Sequence, residues 1–285
     1  MLSVRSNRPL DPQTIAVLRD VDRLAQELNL PYFVAGAMAR EILLTHVFGL
    51  DTRIATLDVD FAVAVADWQQ FHTIKTRLAR GGQYQPSERE HQRLYYVLPG
   101  GRKGYPVDII PFRGAEQPPN MIAWPPEMKI MMNVAGYEEA LATAVPVQIE
   151  DGLVVRVISL PGLALLKLFA WADRGDENTK DARDLILLFR SYVNAGNFER
   201  LYEDAIDIMA AVDFDIDLAG PRLLGRDVRT IIAPTTRAQI DALLGDAKKV
   251  DRLVTHMSAE FKAADDRIAA AERLVEQFKA GLTES

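Results

Sequence analysis

Between Leu57 and Val65 the chain reads Leu-Asp-Val-Asp-Phe-Ala-Val-Ala-Val, and this stretch limits the possible folds more than any other. Side chains alternate across a β-strand, so Leu57, Val59, Phe61, Val63 and Val65 share one wholly apolar face. Asp58 and Asp60 share the other, with only Ala62 and Ala64 beyond them. A strand of this kind belongs inside a sheet that is covered on at least one side. Its two carboxylates, about 7 Å apart at Cα, have no base beside them and repel each other. A hard divalent cation held by both removes the repulsion. The plain alternative is an acidic pair on a solvated strand face.

The flanking sequence predicts an α/β unit. Apolar residues at Ile15, Leu18, Val21, Leu24, Ala25 and Leu28 have helical spacing over Pro12–Leu28. A short β-run, Pro31-Tyr-Phe-Val-Ala-Gly36, leads into a helix from Ala37 to Phe48, closed by Gly49. After the central strand come a helix over Ala66–Arg80 and strands over Arg93–Leu98 and Tyr105–Phe112, joined by the turn Pro99–Gly104. The Pro-rich stretch around Gln117-Pro-Pro and Trp124-Pro-Pro reads as an irregular connection. Val145–Ile149 and Leu153–Ile158 read as a hairpin about Asp151-Gly152. From Ser159, a plausible N-cap with Pro161 in the first turn, the pattern is almost wholly helical. The expected division is therefore an α/β domain with a mixed sheet over residues 1–158 and a helical domain over 159–285.

Composition narrows the function classes. Of 285 residues, 48% are hydrophobic and 26% charged, as in ordinary globular proteins, and there is no cysteine. Disulfides, thiolate metal sites and cysteine nucleophiles are thereby excluded. No apolar run reaches the roughly 18–20 residues that cross a bilayer. Met1–Leu10 carries no apolar secretory core, so the expected compartment is the cytoplasm. The net charge of −7 is unevenly spread. Residues 1–130 hold 15 Lys and Arg against 14 Asp and Glu, and the remainder hold 18 against 26.

Two further features bear on the Asp58–Asp60 pair. In Tyr105-Pro-Val-Asp-Ile-Ile-Pro-Phe112 a single carboxylate, Asp108, interrupts an apolar strand, which is costly unless it is paired or ligating. If that strand lies beside the first, three carboxylates converge. In Val34-Ala-Gly-Ala37 small residues join a strand to a helix whose N-terminal N–H groups suit an anion, and Gly36 permits close approach. Together these features describe a site for a nucleoside triphosphate with Mg2+.

Gly36-Ala37, Asp58-Val-Asp60 and Asp108 resemble the turn, D-x-D strand and third carboxylate of the DNA polymerase β-type nucleotidyltransferases. The whole helix between turn and D-x-D resembles the AbiEii/AbiGii type, which includes toxins of type IV toxin–antitoxin systems. In the second half Leu163-Ala-Leu-Leu-Lys167-Leu, Arg174 and Lys180-Asp181-Ala-Arg-Asp184-Leu are similar to that family's later motifs. The resemblance implies transfer of a nucleotide from an NTP to an acceptor hydroxyl, with two Mg2+ ions held by Asp58, Asp60 and Asp108. It implies that the Gly36-Ala37 turn, Lys167 and Arg174 bind the triphosphate, and that Asp181 or Asp184 assists catalysis. It further implies a tRNA 3′ end or a protein hydroxyl as acceptor, and a cognate antitoxin as partner. Ala37 stands where the family has a small hydroxyl or glycine. Two other readings are open: a nucleotidyltransferase acting on a small, aminoglycoside-like molecule, and a non-catalytic nucleotide-binding regulator.

From Lys75 to Lys103 the basic residues Lys75, Arg77, Arg80, Arg89, Arg93, Arg102 and Lys103 outnumber Glu88 and Glu90. Tyr84, His91, Tyr95 and Tyr96 are interleaved, a mixture that suits an RNA end. Near the C-terminus Val250, Val254, Met257, Phe261, Ala264, Ile268, Ala271, Val275, Phe278 and Leu282 step by four and three. The expectation is one long helix packed on the helical domain, with a dimer or partner-binding surface as the second reading.

Overall fold

The structure, a computed structural model, describes residues 1–52, 56, 58–98, 103–261 and 266–284. Two compact units, Met1–Ser159 and Leu160–Ser285, divide the chain.

The first unit is built on a mixed sheet. Its elements run β1 (Leu2–Ser3), α1 (Pro12–Leu28), β2 (Tyr32–Ala35), α2 (Gly36–Glu41), β3 (Val59–Val65), α3 (Trp68–Ala79), β4 (Tyr84–Pro86), β5 (Arg93–Val97) and β6 (Lys103–Arg113). They continue with β7 (Met121–Ala123), β8 (Met131–Asn133), α4 (Tyr137–Ala142), β9 (Val145–Glu150) and β10 (Leu153–Val157). Eight strands among the described residues form one sheet in the order β1-β9-β10-β2-β3-β6-β5-β4, while β7 and β8 pair separately. β3 lies between antiparallel β2 and parallel β6, and residues on both of its faces are buried. Ala62 and Ala64 are buried on one face and Phe61 and Val63 on the other.

Local chemistry explains the element boundaries. Asp11 caps α1 by accepting the N–H groups of Gln13 and Thr14, Pro12 occupies its first turn, and Asn29 closes it in the left-handed region. Asp67 caps α3 through the Gln70 N–H. The helix expected from Ala37 to Phe48 starts one residue earlier and widens into a π-helix over Ile42–Val47. The central strand begins at Val59 rather than Leu57; Leu57 lies outside the described residues, as do residues 99–102 of the expected turn. The Pro-rich connection holds the small β7–β8 sheet and α4, which no periodicity announced. Phe33, Phe112 and Tyr137 meet there with ring centroids 5.7–6.2 Å apart, so α4 covers one end of the sheet face that carries Asp60.

The second unit is helical: α5 (Leu160–Arg174), α6 (Lys180–Ser191), α7 (Arg200–Glu203), α8 (Ile206–Ala211), α9 (Ile216–Ile231), α10 (Pro234–Gly245), α11 (Ala247–Ser258) and α12 (Arg267–Thr283). The expected single C-terminal helix is two. α11 ends in a turn at Ala259–Glu260, and α12 starts afresh with Asp266 capping the Ala269 N–H. Ala264 of the expected seam lies outside the described residues. Met257, Ala271, Val275, Phe278 and Leu282 of that seam are buried within the unit, whereas Ile268 is exposed. Phe278 stacks on Phe189 at 4.8 Å. Gly225 and Gly281 let α9 and α12 touch backbone to backbone, since a Cβ at Gly281 would stand 1.9 Å from the Arg222 carbonyl oxygen. The seam is thus largely spent on internal packing. No helix among the described residues is long and apolar enough to cross a membrane.

Candidate active site

Sheet register brings the N-terminal candidates together. Ala35 pairs with Asp60, Asp60 with Asp108, and Asp108 with Arg93. Residues paired directly across strands point to one face. Ala35, Asp60, Asp108 and Arg93 therefore form a row across β2, β3, β6 and β5. Gly36 follows Ala35 with φ +64°, and a Cβ built on it would stand 1.9 Å from Asp60 Oδ2. Glycine is required there twice over, for its backbone angle and for the carboxylate lying against it. Ala37 is the second residue of α2, and Ala35 caps that helix with no side-chain hydrogen bond. The negative charge of Asp60 thus lies at the positive end of α2.

Asp58 precedes β3. Its N–H donates to Thr56 Oγ1 at 3.3 Å, and the Thr56 N–H donates to Glu41 Oε2 at 2.9 Å. Glu41, at the end of α2, thereby anchors the approach to Asp58. Sequence reading missed it, because nothing in its neighbourhood marks a residue whose partner lies 15 positions away.

Asp108 is held by Arg93 in a two-pronged ion pair, Nε to Oδ1 and Nη2 to Oδ2, both 2.8 Å. Arg93 also meets Glu90 at 3.2 Å. The hydrogen bonds to Asp108, with the added charges of Asp108, Glu90 and Asp58, raise the Arg93 pKa above its ordinary value against the opposing effect of burial. Oxygen donors such as Asp58 and Asp60 suit a hard divalent cation. Each Asp108 oxygen already accepts from Arg93, so a cation bound there would share the carboxylate with the guanidinium. Among the described residues no three His, Asp or Glu side chains converge as metal ligands.

The second-unit candidates also meet, as a buried ion cluster. Lys167 Nζ lies 2.9 Å from Asp181 Oδ1 and 2.5 Å from Asp184 Oδ2. Arg174 binds Asp181 with Nε at 2.8 Å and Nη2 at 3.2 Å. Side-chain exposure is 2% for Asp181 and 11% for Lys167, against 49% for Arg174. Burial by itself would lower the Lys167 pKa, but Asp184 and Asp181 outweigh it and raise the value. Burial would likewise raise Asp181, and the hydrogen bond from Arg174 and the charge of Lys167 hold it below the ordinary carboxylate range.

The basic stretch is partly neutralised. Arg77 pairs with Glu27 at 2.5 Å, Lys75 donates to the His91 carbonyl oxygen, and Tyr84 is buried against Asp20. Arg102 and the side chain of Lys103 lie outside the described residues. What remains is a cleft of about 590 Å³ along α3 and β4, lined by His72, Lys75, Thr76, Arg77, Arg80 and Pro86. A smaller cavity of about 210 Å³ shares His72 and Lys75 and adds His91, Pro125 and Pro126.

Residues 24–275 match the family model described as nucleotidyl transferase AbiEii toxin, type IV TA system. No curated protein matches. Among solved structures, an antigenic nucleotidyltransferase-like protein from Paracoccidioides brasiliensis is 17% identical at TM-score 0.42, over 75% of this chain and 95% of that one. The antibiotic-resistance factor ANT(2'')-Ia is 15% identical at TM-score 0.38, over 72% and 97%. A Thermotoga maritima CCA-adding enzyme complexed with tRNA is 14% identical at TM-score 0.26, over 96% and 82%. The family match spans most of the chain, from α1 through the D-x-D strand and the buried ion cluster into α12, and the protein belongs to the AbiEii nucleotidyltransferase toxins of type IV toxin–antitoxin systems.

Proposed function

We propose that this toxin transfers a nucleoside monophosphate from an NTP to the 3′-terminal hydroxyl of a tRNA. The observation that carries the reading is the row Ala35–Asp60–Asp108–Arg93, with Gly36 packed on the Asp60 carboxylate. Asp58 and Asp60 are the residues that would hold Mg2+, which when bound supplies charge neutralisation and an activated acceptor oxygen. The remaining work falls to the chain itself. The Gly36-Ala37 turn lets a phosphate come close to backbone. Glu41 and Thr56 hold the approach to Asp58, and Gly36 fixes where Asp60 points. In the helical unit Lys167, itself paired with Asp184, holds Asp181, and Asp181 aims the half-exposed guanidinium of Arg174. Lys167 and Asp181 are on this reading positioning residues. The acceptor hydroxyl gives up its proton to water, and its oxygen bonds to the α-phosphorus as the bond to the leaving pyrophosphate breaks.

The acceptor assignment is supported by the cleft along α3 and β4, where His72 and Arg80 line the wall beside Lys75 and Arg77, which the His91 carbonyl oxygen and Glu27 engage. A tRNA capped at its 3′ end accepts no amino acid, which accounts for toxicity, and such a system includes a cognate antitoxin. The test is incubation with Mg2+, each α-labelled NTP in turn and total tRNA. Label on tRNA that is lost in Asp58→Ala/Asp60→Ala supports the reading. Label on an added aminoglycoside, or on protein and not RNA, overturns the tRNA assignment.

A further inference from the structure

Asp108 lies in a strand interior, flanked in register by a second carboxylate, Asp60, on one side and a guanidinium, Arg93, on the other. Its side chain is 11% exposed and that of Arg93 22%. A carboxylate so enclosed, with Asp60 alongside, needs a cation at all times. The sheet supplies one from the neighbouring strand, and the fork of Arg93 engages both Asp108 oxygens at 2.8 Å. Lys75 on α3 also acts on Asp108, while Asp58 and Glu90 act with Asp108 on the same guanidinium. A divalent cation ligated by Asp108 would sit beside that charge and be repelled by it.

We propose that Arg93 is a resident counter-ion that competes with the metal for Asp108, so that the metal centre is completed only when Arg93 swings away. This rests on the nucleotidyltransferase reading of Asp58 and Asp60. Glu90, 3.2 Å from Arg93 Nη1, is a second carboxylate already in place to receive the displaced guanidinium. Arg93 is thus a positioning residue for the metal site, acting through Asp108.

The test is direct titration with Mn2+, with no nucleotide present, followed by calorimetry and by the rise in unfolding temperature. Arg93→Gln keeps a hydrogen-bond donor beside Asp108 and removes the charge. It is expected to bind Mn2+ about tenfold more tightly than the wild-type chain, the gain vanishing when Asp108→Asn is added. Arg93→Lys retains charge without the fork, folds under milder strain, and is expected to gain about threefold. Equal Mn2+ affinity in wild type and both variants, still lost on Asp60→Asn, overturns the counter-ion role and leaves the metal reading standing. Mn2+ binding that ignores Asp58→Asn and Asp60→Asn overturns both.

Discussion

Asp60 Oδ2 occupies the space in which a side chain at position 36 would begin: a Cβ on Gly36 would lie 1.9 Å from it. The strand-to-helix turn and the D-x-D strand are therefore one steric unit, and the aim of Asp60 depends on the absence of an atom across the β2–β3 pair.

Gly36→Ala should lower transfer on the order of 100-fold without unfolding the protein. The left-handed backbone at φ +64° costs an alanine about 1–2 kcal/mol. The larger effect is the forced movement of the Asp60 carboxylate, and a misplacement of about 1 Å in a reacting constellation costs on the order of 100-fold in rate. Transfer assays beside thermal unfolding test this; near-wild-type activity would show that Asp60 is not held by Gly36.

Breaking the ion cluster of the helical unit should be a stability defect first. Asp181→Asn leaves Lys167 with one carboxylate and Arg174 with none of its Asp181 charge, and removing one partner of a buried pair costs about 3–5 kcal/mol. Urea unfolding should report a lower midpoint at unchanged slope.

The same cluster sets pH limits on stability. Asp181 is depressed in the folded state, so its contribution is full above its unfolded pKa, about 4, and is lost as pH falls through the lower folded value. Lys167 is raised, so its contribution is full below its unfolded pKa, about 10.4, and is lost as pH climbs through the higher folded value. Unfolding free energy against pH should fall at both ends, and Asp181→Asn should lose part of the acid limb. An unchanged acid limb would remove Asp181 as its source.

Charge reversal in the α3–β4 cleft should separate RNA from nucleotide. Arg80→Glu is expected to weaken tRNA binding and to lower the slope of log affinity against log salt by about 1, with NTP affinity unchanged. Equal loss for both ligands would place the cleft outside the acceptor path.

Gly281→Ala should destabilise the helical unit by about 1–3 kcal/mol, because the added methyl meets the Arg222 carbonyl at 1.9 Å and backbone cannot yield as a side chain can. The midpoint of chemical unfolding reads this, and an unchanged midpoint would mean that α9 and α12 separate freely.

Local pattern determined a large part of this protein. Strict alternation over Leu57–Val65, helical periodicity over Pro12–Leu28 and the ordered set Gly36, Asp58, Asp60, Asp108, Lys167, Arg174, Asp181 and Asp184 were all legible as residue types at spacings, and they carried the resemblance to the nucleotidyltransferases. Tertiary structure alone decided which charges meet. That Arg93 faces Asp108 follows from the β5–β6 register, and a slip of one residue would turn every side chain of the strand to the other face. In the sequence Arg93 was one of several cations in a basic run. That Lys167 is neutralised by Asp181 and Asp184 depends on how α5 meets α6, whereas the sequence only placed a lysine on an apolar face. Most of the described heptad positions after Val250 are buried, with Ile268 exposed, yet a turn at Ala259–Glu260 divides them into two helices, because apolar spacing does not record whether the backbone runs on unbroken.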